Sequence, residues 1–137
     1  MDIGGWRDMH RHRRCQQIQQ NFTTAHGYEV PPPLVQAGLD AEYRQAMDAV
    51  RIDIEQLKKV SGEAALYAIP FGFKVRCLFK MDFAEAEYIA KLRSGVKGHW
   101  SYRTMAWLMK QKLTERYPVL GMHVQATSPD IEDTLTR

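Results

Sequence analysis

Only two cysteines, Cys15 and Cys77, occur in the 137 residues. They are too few for a disulfide framework and lack the paired spacing of a zinc site. No apolar run approaches the roughly 20 residues that a membrane-spanning helix needs, and residues 1–14 lack the apolar stretch of a secretory signal. The expectation is a reduced, cytoplasmic chain with no membrane partner. Excess charge is also scarce: a formal net charge of +3 falls short of the strongly basic footprint of a dedicated nucleic-acid binder. There is no internal repeat, linker or low-complexity stretch. Carboxylates are few in one place, the N-terminal segment, where only Asp2 and Asp8 face four arginines.

What is present suffices for a core. Hydrophobic residues make up 45% and charged residues 26%, the composition of a chain that folds. We therefore expect a single domain over residues 1–137, α+β and mostly helical, with a polar, acidic tail over 126–137. Few strands are present to make a sheet alone, so the expectation is a chain that lacks part of its fold.

The local excess of charge sits in "WRDMHRHRRCQQIQQNF", Trp6 to Phe22. Arginines in such a cluster ordinarily lie solvated and paired to carboxylates elsewhere; the other use for them is to hold an anion such as phosphate. Residues 5–21 are helix-permissive, with Trp6, Met9, Ile18 and Phe22 as candidate buried contacts. On a helix, Arg11 and Arg13 point about 200° apart, so both reach one ligand only if the helix ends near His12 or the ligand lies between subunits. His10 and His12 form an H-x-H pair, but the flanking arginines repel a dication and no further ligand is near, so no metal site is expected. Cys15 has cations beside it but no positioned base, and no catalytic nucleophile–base pair can be named.

Downstream, "GYEVPPP" at 27–33 reads as a loop, because each proline restricts the residue before it. Residues 40–60 form the clearest helix, with Asp40 as cap and Tyr43, Met47, Val50, Ile54 and Leu57 on one stripe; "SGE" at 61–63 ends it. Phe73, Val75, Cys77, Phe79 and Met81 alternate with mostly cationic residues as a strand does. Asp82 with Glu85 reads as a capping box opening a helix to about Arg93, which Gly95 closes. A last long helix runs from about Gly98 to Tyr117, with Trp100, Met105, Trp107, Met109 and Leu113 as packing residues, and Pro118 stops it. One helical turn after Ser128 is expected in the tail.

With "RHR" at Arg11–Arg13, the stretch "AIPFGFKVRCLFKMDFAEAEYIAKLRSGVKGHWSYRTMAWLM" resembles the flavin-dependent thymidylate synthases from about Asp8 to Pro118. Pro70, the Leu92–Arg93 pair, and "GHWSYR" with Arg103 in its last place correspond to family motifs, and the spacing from Pro70 to Arg93 matches without a gap. The resemblance implies the central and C-terminal part of that fold, with long helices and a short sheet, and without the strand-rich segment that precedes it in the family. It further implies a homotetramer with FAD between subunits. The family reaction uses FAD, NADPH and methylenetetrahydrofolate to convert dUMP to dTMP. The carried-over roles are FAD contacts for Arg11, His12, Arg13 and Gln19, the last standing where the family has a glutamate. Substrate contacts fall to Arg93 and Arg103. Local chemistry gives both other reasons to exist: cations favour a helix C-terminus such as Arg93's, and Arg103 has Glu87 or Asp82 as candidate ion-pair partners.

The departures from the family pattern matter as much. Asn21 and Thr23 replace a serine and an arginine, and Asp8 replaces a glutamine that touches dUMP. Leu66 replaces an arginine, and Asp82-Phe83-Ala84 replaces an "NxR" that contacts FAD. Each lost charge-assisted hydrogen bond costs on the order of 1.5–3 kcal/mol, so nucleotide binding and turnover are expected to be impaired. Three readings follow: a working enzyme completed by another chain or partner domain; a noncatalytic binding or scaffold subunit; and, ranked last, a nucleic-acid or polyphosphate binder using "RHRR".

Overall fold

The computed structural model describes residues 1–132. The rest of the polar tail, residues 133–137, lies outside the described residues. Within them the protein is mostly helical with one small two-stranded antiparallel sheet. Backbone contacts divide the chain into two compact units, one from Met1–Gly4 with Gln19–Arg76, the other from Gly5–Ile18 with the chain from Cys77 onward.

The first unit is organised by helix α3 (Asp40–Ser61), whose stripe sends Met47 and Ile54 into the core. Asp40 does not cap it: Leu39 holds the N-cap position without a side-chain bond. Asp40 instead occupies the first turn, where its charge suits the helix dipole, 3.6 Å from Arg44. Gly62 ends the helix at φ +55°, a conformation that a side chain would strain, and a 3-10 helix over Gly62–Ala68 follows. The short helix α2 (Pro32–Gln36) begins inside the proline run that reads as pure loop. Pro32 and Pro33 fill its first positions, whose N–H groups have no intrahelical acceptor anyway, so their loss costs nothing.

Phe73 is fully buried in this unit, with Tyr28 edge-on at 5.8 Å and its carbonyl accepting from Ile3 N at 2.9 Å. The alternation over 73–81 is visible in the burial of Phe73 and Val75. Regular pairing is nevertheless confined to Cys77–Lys80, with only isolated bridges at Lys74 and Phe73.

In the second unit the expected helix over 5–21 stops early: α1 spans Ile3–Met9, and strand β1 (Gln16–Gln19) pairs with β2 (Cys77–Lys80). The reason lies in side-chain competition for backbone groups. The His12 carbonyl, which a continuing helix would use, accepts instead from Gln17 Nε2 at 2.7 Å and from the Cys15 thiol at 3.1 Å. On the strand, Ile18 points outward and is 68% exposed, against the expectation that it is buried.

Helix α4 (Phe83–Arg93) is capped by Asp82, whose carboxylate accepts from Glu85 N at 2.8 Å. It closes at Ser94 rather than through Gly95. Helix α5 (Trp100–Arg116) starts at His99 and is followed directly by α6 (Pro118–Gly121), so Pro118 both ends one helix and opens the next. Helices α4 and α5 pack together, and their buried faces carry the small Ala86, Ala90, Ser101 and Ala106 beside Glu85, Ile89, Tyr102 and Arg103. Small side chains at such a face let backbones approach, and the large residues expected to fill it, Trp100, Met105, Trp107, Met109 and Leu113, are only half-buried. In place of the helical turn expected after Ser128 is a single turn, closed by Ile131 N donating to Ser128 O at 3.1 Å. No helix among the described residues is long and apolar enough to cross a membrane.

Candidate functional site

The early end of α1 puts His12 on a bend, and the bend turns its ring inward: His12 is 6% exposed. Its Nδ1 lies 3.2 Å from Glu85 Oε1 on α4, and its Nε2 accepts from Arg93 Nε at 2.9 Å. A guanidinium only donates, so Nε2 carries no proton and Nδ1–H donates to Glu85. The neutral imidazole thus separates a carboxylate from a guanidinium, in contact with both. Tyr88 closes one side edge-on at 5.9 Å. Arg93 also donates through Nη2 to the Asp8 carbonyl at 2.9 Å and stacks over Tyr102 at 5.5 Å, so the bend is tied to α4 at two points.

Burial, and then the Arg93 charge, hold the His12 pKa below its ordinary value against the opposing pull of Glu85. A proton on Nε2 would face the Arg93 donor head-on. With the folded value depressed, the unfolded chain takes up the proton first, so the stabilisation is complete above about pH 6.5. It is lost as pH falls through the folded value. Thermal midpoints measured from pH 7.5 to 5 should fall in the wild type and stay flatter in His12→Gln, whose amide does not titrate.

With His12 facing in, its neighbours face out. Arg11 is 72% exposed and only loosely paired, 3.9 Å from Asp8, a contact worth about 0–1 kcal/mol. Arg13 is exposed and has no carboxylate partner among the described residues. Arg14 is held by Asp82 at 2.8 Å. The Glu85 N–H first, and Arg14 after it, keep the Asp82 carboxyl below its usual range. Arg13, Arg14, Cys15, Gln16, Lys80, Met81 and Asp82 line an open groove of about 480 Å³.

The remaining candidate residues have other surroundings. Arg103 is 8% exposed and meets neither Glu87 nor Asp82. It donates to three carbonyls instead: Ser94 O at 3.3 Å, Ser128 O at 3.2 Å and Ile131 O at 2.7 Å. Gln19, in the first unit, lines a hollow of about 750 Å³ together with Gln20, Asn21, Phe22, Tyr67 and Phe71. His10 stacks on Trp6 at 4.7 Å, apart from His12, and no group of three or more metal-ligating side chains occurs among the described residues. Glu85 was not singled out as a site residue from sequence, where it reads as half of a capping box. Its place one turn before Ile89 on the apolar face of α4 was the available signal.

Residues 1–119 match the family described as thymidylate synthase complementing protein, Thy1. The chain is 30% identical over 118 residues to a UPF0159 protein of Chlamydia pneumoniae, covering 86% of this chain and 22% of that one. It is 32% identical over 122 residues to a UPF0159 protein of Thermoplasma acidophilum, covering 88% and 24%. It therefore spans about a fifth to a quarter of the length of these relatives. Among solved structures, it resembles the flavin-dependent thymidylate synthase ThyX from Helicobacter pylori complexed with FAD and dUMP, with a TM-score of 0.65 at 15% identity. That likeness covers 90% of this chain and 69% of the other. A second structure of that ThyX with FAD and dUMP gives 0.64, also at 15% identity. The fold is that of a ThyX region.

Proposed function

The chain belongs to the thymidylate synthase complementing protein family, and from that premise we propose that it binds FAD through the arginines of its "RHR" bend while conversion of dUMP is impaired. One observation carries this reading: the bend spends its histidine on internal contacts to Glu85 and Arg93 and thereby turns Arg11 and Arg13 outward. Exposed guanidinium groups suit a pyrophosphate, so the donor set fits the phosphate part of FAD. Arg11 and Arg13 would hold it, and His12, with both nitrogens engaged, acts by positioning its neighbours. When bound, FAD would supply the reducing chemistry of the family reaction, with NADPH as the source of electrons.

The substrate side supports impairment. Arg103 is committed to three backbone carbonyls and Arg93 to His12 and Asp8. A nucleotide phosphate recruiting either must first displace those acceptors. The same observation favours, as a second reading, a noncatalytic subunit or domain of a larger thymidylate synthase-like protein. Both readings share a single domain, a homo-oligomer or partner domain that completes the site, and a cytoplasmic setting. The nucleic-acid reading ranks last.

The test is the absorbance spectrum after incubation with FAD and desalting. Flavin bands retained by the wild type and lost in Arg11→Ala/Arg13→Ala, with little dUMP-dependent NADPH oxidation, are the expected result. A colourless, folded wild type would overturn the flavin reading and leave the noncatalytic one. Brisk dUMP-dependent oxidation would overturn the impairment.

A further inference from the structure

We propose that Arg14 and Lys80, neither of them among the residues picked out by the family motifs, complete a diphosphate-binding groove with Arg13 that takes a nucleoside diphosphate or the diphosphate of a dinucleotide. The inference rests on the reading of Arg13 as a phosphate ligand and extends it to two further residues.

Three cations and one carboxylate line this groove. The carboxylate is already consumed: Asp82 accepts from Glu85 N at one oxygen and from Arg14 Nη2 at the other, each at 2.8 Å. What remains facing the groove is the positive charge of Arg13 and Lys80, which have no carboxylate partner among the described residues, and the donors of Arg14 that Asp82 leaves unused. A guanidinium carries five N–H donors, so an ion pair with one carboxylate leaves Arg14 able to reach a second anion.

Like charges brought together on a concave surface repel unless an anion settles among them, and concavity focuses their field on it. The cations also arrive from different chain segments: Arg13 and Arg14 precede β1, whereas Lys80 ends β2. They therefore reach one groove from two chain segments that the β1–β2 pairing brings together. The volume of about 480 Å³ falls in the range of small-ligand sites, roughly 300–1,000 Å³, and Met81 offers an apolar surface to a base or ribose. Gln16 adds an amide that can donate or accept.

The test is titration calorimetry of the full chain with ADP and with inorganic pyrophosphate, neither of which carries an isoalloxazine ring. Lys80→Gln removes a charge that has no ion-pair partner among the described residues, so it carries the test, with Arg14→Gln as a second variant. Each is expected to weaken both probes by about ten-fold or more. Lys112→Gln, which removes a cation paired with Glu115 at 2.6 Å on α5, should leave them unchanged. Equal affinities in wild type and Lys80→Gln, or no binding of either probe by the wild type, would overturn the proposal. Flavin retention without pyrophosphate binding would sink this inference alone, and ADP binding without flavin retention would sink the flavin reading alone.

Discussion

Replacing Glu85 by Ala is expected to cost about 3 kcal/mol of stability, lowering the thermal midpoint by roughly 10 °C for a chain of this size. The cause is stranded polarity. Glu85 is 6% exposed, and its loss leaves the His12 Nδ1–H pointing into the interior with no acceptor. It also leaves the Arg93 charge without the carboxylate that balances it through the ring. Glu85→Gln separates the two contributions, because its amide oxygen can still accept from Nδ1–H while the charge is gone. That variant should lose only about 1 kcal/mol, near the worth of one hydrogen bond. If both variants unfold at the same temperature, charge rather than hydrogen bonding holds the bend. If neither moves it, the buried relay stabilises nothing. The Ala variant should also retain less flavin than wild type at a temperature where both are folded, since the bend that presents Arg11 and Arg13 is freed.

The second large effect is expected at Gly121. A side-chain carbon there would collide with the Cα of Thr114 and come within 2.7 Å of its backbone nitrogen. Because the obstacle is helix backbone rather than a movable side-chain tip, α5 and α6 must separate, at about 2–3 kcal/mol for Gly121→Ala. Gly95→Ala is the matched comparison. Its nearest neighbour, the Leu92 carbonyl, would be at 3.6 Å, an ordinary contact, and its φ is not positive. Denaturant titration should place Gly95→Ala within about 1 kcal/mol of wild type, on the stabilising side if anywhere. A Gly121→Ala protein as stable as Gly95→Ala would show that α6 is loosely docked.

Periodicity carried the long elements well. The Met47 and Ile54 part of the α3 stripe, though not the exposed Leu57, the Asp82 cap and the limits of α5 follow from apolar spacing and local capping chemistry, which act within a few residues. The family resemblance rested on motifs spaced far apart, and the family match over residues 1–119 and the ThyX-like fold bear it out. Local reasoning failed where side chains compete with the helix for a carbonyl, or where two elements meet. Nothing near Met9 announces that Gln17 and Cys15 will take the His12 carbonyl and stop the helix. The same holds for the packing of α4 and α5, where alanines and serines are buried and the tryptophans are not. Small residues are silent in hydrophobicity patterns, and close approach is a property of two helices together.

At the site, sequence named the arginines but not their assignments. His12, Arg93 and Arg103 read alike as candidate ligands, because residue type advertises donors without saying which are already taken. Only the partners distinguish them: Glu85 is 73 residues from His12 in sequence, and the carbonyls on Arg103 are up to 28 residues away. Arg11 and Arg13 differ from these three by their exposure, and that is equally invisible in one dimension.

The reach of Arg103 also bears on where this module should be cut. The family match stops at residue 119, yet the guanidinium at 103 is roofed by the carbonyls of Ser128 and Ile131, and Ser94 Oγ accepts from Thr127 N at 2.8 Å. A fragment trimmed to the matched segment would leave an arginine designed for shelter standing in water and a serine without its donor. A piece that keeps these bonds therefore extends through Ile131, and the polar stretch beyond the last helix is a clasp on α4 and α5 rather than an appendage to them.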